Sequence, residues 1–183
     1  MSHIAVFFAD GFEEIEALTV VDLCRRAGIE ADMVSVTGKK NVNGSHGIIV
    51  EADLLFEEVD FSALDMLVLP GGKNGTIGLE AHVGLMEKID EYYKEKKYIA
   101  AICAAPSIFG HRGILKGRNA CSYPAFESQL DGAKVTEGPV EASEHVVTSR
   151  GMGTSIDFGL KIVEIFKGKE AAEALAAQIV YRQ

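Results

Sequence analysis

Residues 98–106, Y-I-A-A-I-C-A-A-P, constrain this chain more than any other stretch. The apolar run ending at Ile102 is too short for a helix and nearly free of polar residues, which predicts a central parallel strand buried on both faces. Pro106 suits the first turn of a helix, where its missing N–H costs nothing. Ala104 and Ala105 add no bulk, so the backbone can bend sharply between the two elements. The stretch therefore reads as strand, tight turn and helix, with Cys103 held out over the edge of the sheet as in a nucleophile elbow. An unpaired cysteine is ordinarily an inert small hydrophobe. Such a cysteine has no need of small residues and a helix start behind it, so a reactive thiol is the better reading. Dipoles and free N–H groups at a helix N-terminus are expected to lower its pKa.

A strand of this kind requires parallel neighbours joined by helices. Hydrophobic patterning predicts further strands over residues 3–8, 30–36, 65–69, 119–122 and 145–149. It predicts helices over 12–27, 79–96, 107–112, 155–166 and 169–180, the fourth capped by Thr154 or Ser155. Residues 38–47 read as a turn-rich excursion with a short ribbon over 46–50, residues 61–64 as a helical turn, and 131–140 as loop with one edge strand. Alternation of strand and helix gives an α/β fold with a mostly parallel sheet covered on both faces. Such sheets bind ligands beyond the C-terminal ends of their strands.

Two further signals fall at that edge. In the first helix Glu16, Val20, Leu23 and Ala27 share one stripe, which puts Glu16 on the face turned to the sheet. A carboxyl there is costly unless protonated or partnered, which makes Glu16 a functional candidate. Glu14 falls on the wetter side with Leu18, Asp22 and Arg26, the last two spaced for an ion pair. After the third strand, P-G-G-K-N-G over residues 70–75 lets backbone N–H groups of Gly71 and Gly72 approach a ligand.

Composition narrows the function. The 183 residues are one domain's worth of chain, enough to bury a core without disulfides or metal. A formal net charge of -9, with no cluster of Lys and Arg, argues against nucleic acid or an anionic membrane as partner. Three cysteines, at 24, 103 and 121, form neither a paired framework nor a metal-ligand spacing. Cys24 and Cys121 read as structural, and a reducing, cytoplasmic setting is expected. The apolar run over residues 4–8 is far too short for a signal peptide or a membrane span.

At F-E-E-I-E (12–16), R-R-A-G-I (25–29), L-P-G-G (69–72), A-A-I-C-A-A-P (100–106), T-S-R-G-M-G-T-S (148–155) and G-K-E-A-A (168–172) the chain resembles the ThiJ/PfpI superfamily. The match is strongest to the branch of the Parkinson-associated protein deglycase and its bacterial relatives. The resemblance implies a flavodoxin-like three-layer sandwich, a homodimer, Cys103 as elbow nucleophile and Glu16 as its hydrogen-bonded carboxyl partner. It also implies Gly72 and Ala104 as donors of oxyanion-type amides, Gly71 in the pocket, and no metal or organic cofactor. Two positions depart from the family. Tyr123 stands where many relatives place a histidine before a proline, and His46 stands where one branch takes an arginine from the partner subunit into the pocket. His111 lies eight residues past the elbow, about 12 Å along a helix, so no Cys-His dyad is read.

The resemblance implies a cofactor-independent glyoxalase or deglycase acting on small carbonyls such as glyoxal, methylglyoxal or their early protein adducts. The alternatives are a redox sensor or chaperone using an oxidisable Cys103 and, less well supported without a histidine base, a cysteine peptidase.

Overall fold

The computed structural model describes residues 2–181. In chain order the elements are β1 (His3–Phe8), α1 (Glu14–Arg26), β2 (Glu30–Ser35), β3 (Asn41–Asn43), β4 (Ile49–Glu51), β5 (Leu54–Leu55) and β6 (Met66–Leu69). There follow α2 (Lys73–Ala81), α3 (Val83–Glu95), β7 (Tyr98–Ile102), α4 (Pro106–His111), β8 (Asn119–Ala120) and β9 (Lys134–Val135). The chain closes with β10 (Val140–Ser143), β11 (Val146–Ser149), α5 (Ser155–Lys167) and α6 (Lys169–Gln178). Seven strands form the main sheet in the order β10-β11-β7-β6-β1-β2-β5. Only β10 runs antiparallel to its neighbour.

Alternation along the central strands builds the two cores. Ile4, Val6, Phe8, Met66, Val68, Ala100 and Ile102 face α1 and α5, where they meet Val20, Leu23, Phe158 and Ile162. The intervening Ala5, Phe7, Leu67, Leu69, Ile99 and Ala101 face α3 and α4, where they meet Leu85, Ile89 and Phe109. Each fully buried Val, Leu, Ile, Met or Phe among them contributes about 1.5–3 kcal/mol, and both faces of one strand are used at once. This is the mostly parallel α/β sheet, covered on both faces, that the apolar runs predict, in the flavodoxin-like sandwich that the resemblance implies. After β1 the chain builds outward through β2 and β5, then returns to the opposite side of β1 for β6 and β7. The C-terminal ends of β1 and β6 therefore part, leaving the crevice in which open α/β sheets bind ligands.

Several expectations need correction. The helix expected over 79–96 is two helices, α2 and α3, broken at His82, whose backbone leaves the helical region (φ -81, ψ 99) and whose Nδ1 accepts the Leu85 amide. Residues 73–75, expected as loop, open α2. The strand expected over 119–122 is short and pairs only with β9, outside the main sheet. β3 pairs antiparallel with β4, so the ribbon's first strand lies inside the excursion expected as turns. Thr154 stands at the N-cap of α5, but its hydroxyl bonds Gly151 and Ser149 instead of capping, and Ser155 Oγ is buried without a partner. No described helix is long and apolar enough to cross a membrane.

Candidate active site

The elbow is real and strained. Cys103 follows β7 directly and has φ 65, a left-handed conformation that costs a non-glycine residue about 1–3 kcal/mol. Both of its backbone groups are tied down: its amide donates to Ser149 O at 3.0 Å and its carbonyl accepts the Tyr123 amide at 2.9 Å. Ala104 and Ala105 are buried at the turn, and Pro106 opens α4 as read from sequence. The surrounding structure over-determines the strained residue, which fixes where its sulfur points.

Glu16 arrives from the first turn of α1 and is 1 % exposed. Its backbone amide is held by Glu13 Oε2 at 2.8 Å, which caps the helix, while its own Oε2 accepts the Gly71 amide at 2.9 Å. Its Oε1 is buried and takes no hydrogen bond of ordinary geometry. The Cys103 thiol is close enough to couple to this carboxyl, and the amides of Gly72 and Ala104 point at the sulfur. The structure thus brings together Glu16, Gly71, Gly72, Cys103 and Ala104 at the ends of β6 and β7. Tyr123 joins them through its amide, with its side chain half exposed.

Gly71 and Gly72 have steric reasons to lack a side chain. A Cβ on Gly71 would stand 2.5 Å from Glu16 Oε2 and 2.6 Å from Cys103 Cβ. Gly72 has φ 87 and its Cβ would press on the backbone of residues 11–13. Gly71→Ala is therefore expected to destabilise the fold by about 1–3 kcal/mol in urea unfolding and to displace the Glu16 carboxyl from the thiol.

Electrostatics correct one expectation. Burial pushes the Glu16 carboxyl up to about 7, opposed by the thiol and the Gly71 amide. Burial also pushes Cys103 up to about 12, and the charge of Glu16 adds to it, outweighing the Gly72 and Ala104 amides. The thiol pKa is not lowered as its place before a helix suggested, because a buried sulfur facing an anion is a poor place for a second negative charge. The two groups titrate together, and the protons they lose belong to the pair.

One other residue sits differently from its sequence reading. Glu14 is 3 % exposed, not on the wetter side. The β3–β4 turn folds over it, with His46 N at 2.7 Å from Oε1 and Ser45 Oγ and His46 Nδ1 at 3.1 and 3.0 Å from Oε2. Burial alone would raise this carboxyl, yet those bonds together lower it to about 2. Within its own chain His46 is held by Glu14 and bonds neither Cys103 nor Glu16; the resemblance places it in the pocket of a partner subunit, not in its own. The side chains of Glu13, Glu14 and His46, and of His3, Glu30 and Asp32, each bring three ligand-type atoms within 4.8 Å of one another. Both groups are occupied by ion pairs of their own and neither includes the thiol. Cys24 and Cys121 are buried, as expected of structural cysteines.

A mostly parallel sheet, an elbow cysteine beyond a central strand and a buried carboxyl facing it define a flavodoxin-like α/β protein organised around one thiol. The chain belongs to the DJ-1/PfpI family, whose model matches residues 2–165. It is 36% identical over 176 residues to "Protein DJ-1 homolog B" of Arabidopsis thaliana, covering 95% of this chain and 40% of that protein, so it spans less than half of that relative's length. To "Glutathione-independent glyoxalase DJR-1.2" of Caenorhabditis elegans it is 30% identical over 164 residues, covering 89% and 87%. Among solved structures, "Toxoplasma gondii DJ-1, oxidized" superposes with a TM-score of 0.95 at 35% identity, covering all of both chains.

Proposed function

We propose that this chain is a cofactor-independent glyoxalase of the deglycase type, converting 2-oxoaldehydes such as methylglyoxal, free or as early adducts, to 2-hydroxy acids. The observation that carries the reading is the coupling of a buried carboxyl, raised to about 7, to the Cys103 thiol. A general base poised near neutrality can accept a proton there and return it. Sγ adds to the aldehyde carbon while its proton passes to Glu16. Gly72 and Ala104 amides stabilise the oxyanion. Glu16 passes the thiol's proton to the oxygen of the neighbouring carbonyl, then takes the proton of the former aldehyde carbon and delivers it to the neighbouring carbon; the oxyanion closes to C=O, so the first carbon is oxidised to a thioester and the second reduced to an alcohol. Water releases the 2-hydroxy acid and restores the thiol, so no external oxidant or reductant enters. The glyoxalase name of the Caenorhabditis elegans relative supports this reading.

The test is conversion of methylglyoxal to lactate without glutathione. Steady lactate production by the wild type supports the reading; none overturns it and favours a redox sensor. A sensor has its own support in the solved relative described as oxidized. A peptidase is disfavoured, since the chain's five histidines all bond elsewhere: His3 to Asp32, His46 to Glu14, His82 to the α3 amide, His111 to Glu80 and His145 to Tyr93 O.

The same reading includes a homodimer in a reducing, cytoplasmic setting. Ile15, Ile48 and Ile49 are 49%, 54% and 63% exposed, and Ile15 and Ile48 edge an apolar groove with Leu18, Ile156 and Ile179. A second copy would cover this face and meet each change twice. Ile48→Asp is expected to weaken dimerisation by roughly 100-fold or more, read by sedimentation. A dimer of unchanged strength would overturn this surface.

A further inference from the structure

We infer that a cleft beside the elbow seats the carrier of a carbonyl adduct, and that Arg150 binds a carboxylate on that carrier. The inference rests on the carbonyl-addition reading above and adds a substrate class to it. A cleft of about 650 Å³ opens where β11 gives way to the loop before α5, with Tyr123, Glu137, Pro139, Arg150 and Met152 among its walls. That volume is of the order that holds ligands of drug size, far more room than a two- or three-carbon carbonyl fills.

Backbone connections tie this cleft to the sulfur. The Tyr123 amide donates to Cys103 O at 2.9 Å while the rest of the residue forms cleft wall. Ser149, which accepts the Cys103 amide at 3.0 Å, directly precedes Arg150. The cleft wall and the elbow thus share backbone, and on the proposal a group in the cleft and a carbonyl at the sulfur are the two ends of one elongated ligand. Its stem would lie along Tyr123 and Met152, which are 50% and 53% exposed.

Arg150 supplies the polar anchor. A guanidinium has five N–H donors in a planar fork. Arg150 Nη2 meets Glu127 Oε1 at 3.3 Å, long for a charge-assisted bond, which is ordinarily about 2.7–2.9 Å. Its Nε is buried with no partner. Glu127 thus steadies the guanidinium without saturating it. The exposed Glu137 on the cleft wall carries the opposite sign, so a carboxylate is drawn to the Arg150 end and repelled at the other.

The experiment measures binding to the wild-type chain by calorimetry at pH 7.5, with two stable thioethers whose alcohol cannot add to sulfur. These are N-acetyl-S-(2-hydroxypropyl)cysteine and its neutral C-terminal amide. The acid should bind about tenfold or more tightly than the amide, the range of a charge-assisted bond. Arg150→Gln should bring the two affinities together, Arg150→Lys should keep part of the difference, and Glu137→Gln should widen it. Equal affinities in the wild type, or a preference that survives Arg150→Gln, would overturn the inference. Binding is read without turnover, so failure to convert methylglyoxal would count against the reaction alone.

Discussion

Replacing Cys103 with serine is expected to lower kcat/KM for methylglyoxal by about 10³-fold or more, with no loss of fold. The sulfur is the atom that bonds to the substrate, and a hydroxyl at the same place is a far weaker nucleophile whose proton Glu16 cannot take. Serine fits the same left-handed turn, since the residue's backbone amide and carbonyl are bonded by Ser149 and Tyr123 whatever its side chain. Thermal unfolding of the variant should therefore match the wild type to within about 1 kcal/mol. Loss of activity together with loss of structure would mean that the cysteine's part is packing.

The second large effect belongs to Glu16→Gln, and it has opposite signs in activity and stability. The amide cannot take the thiol's proton, so turnover should fall by about 10²-fold or more. Stability should rise at alkaline pH. The carboxyl's folded pKa, about 7, lies above its ordinary value of 4.5. Its contribution to folding is full below 4.5 and is lost as pH rises through 7, because the folded state must then hold a buried charge. The difference corresponds to at most about 3 kcal/mol. Glutamine removes that charge, so the variant should be more stable than the wild type by up to this amount at pH 8 and no different at pH 4. Urea unfolding at the two pH values measures it, and a variant no more stable than the wild type at pH 8 would show that Glu16 ionises in the fold as readily as in the unfolded chain.

Much of this arrangement is legible in the sequence because it is local. The bend at Cys103 follows from two alanines and a proline that are its immediate neighbours, and the inward face of Glu16 follows from the spacing of Val20, Leu23 and Ala27 on one helix. What was missed depends on contacts between distant segments. Glu14 looks solvent-facing on its own helix, and only the β3–β4 turn brings Ser45 and His46 over it. The break at His82 is hidden because its ring replaces the missing helical acceptor at Leu85. β10 carries no strong pattern and exists through its pairing with β11. The thiol's raised pKa comes from burial and the neighbouring carboxyl, a pairing across the sheet edge that outweighs the Gly72 and Ala104 amides.

The pH dependence of Cys103 alkylation by iodoacetamide, in the wild type and in Glu16→Gln, tests most directly whether the carboxyl governs the thiol. In the wild type the rate should rise in a step centred near pH 7, where Glu16 becomes able to take the thiol's proton. In the variant that step should disappear and reactivity should move to alkaline pH. Superimposable profiles in the two proteins would contradict the account.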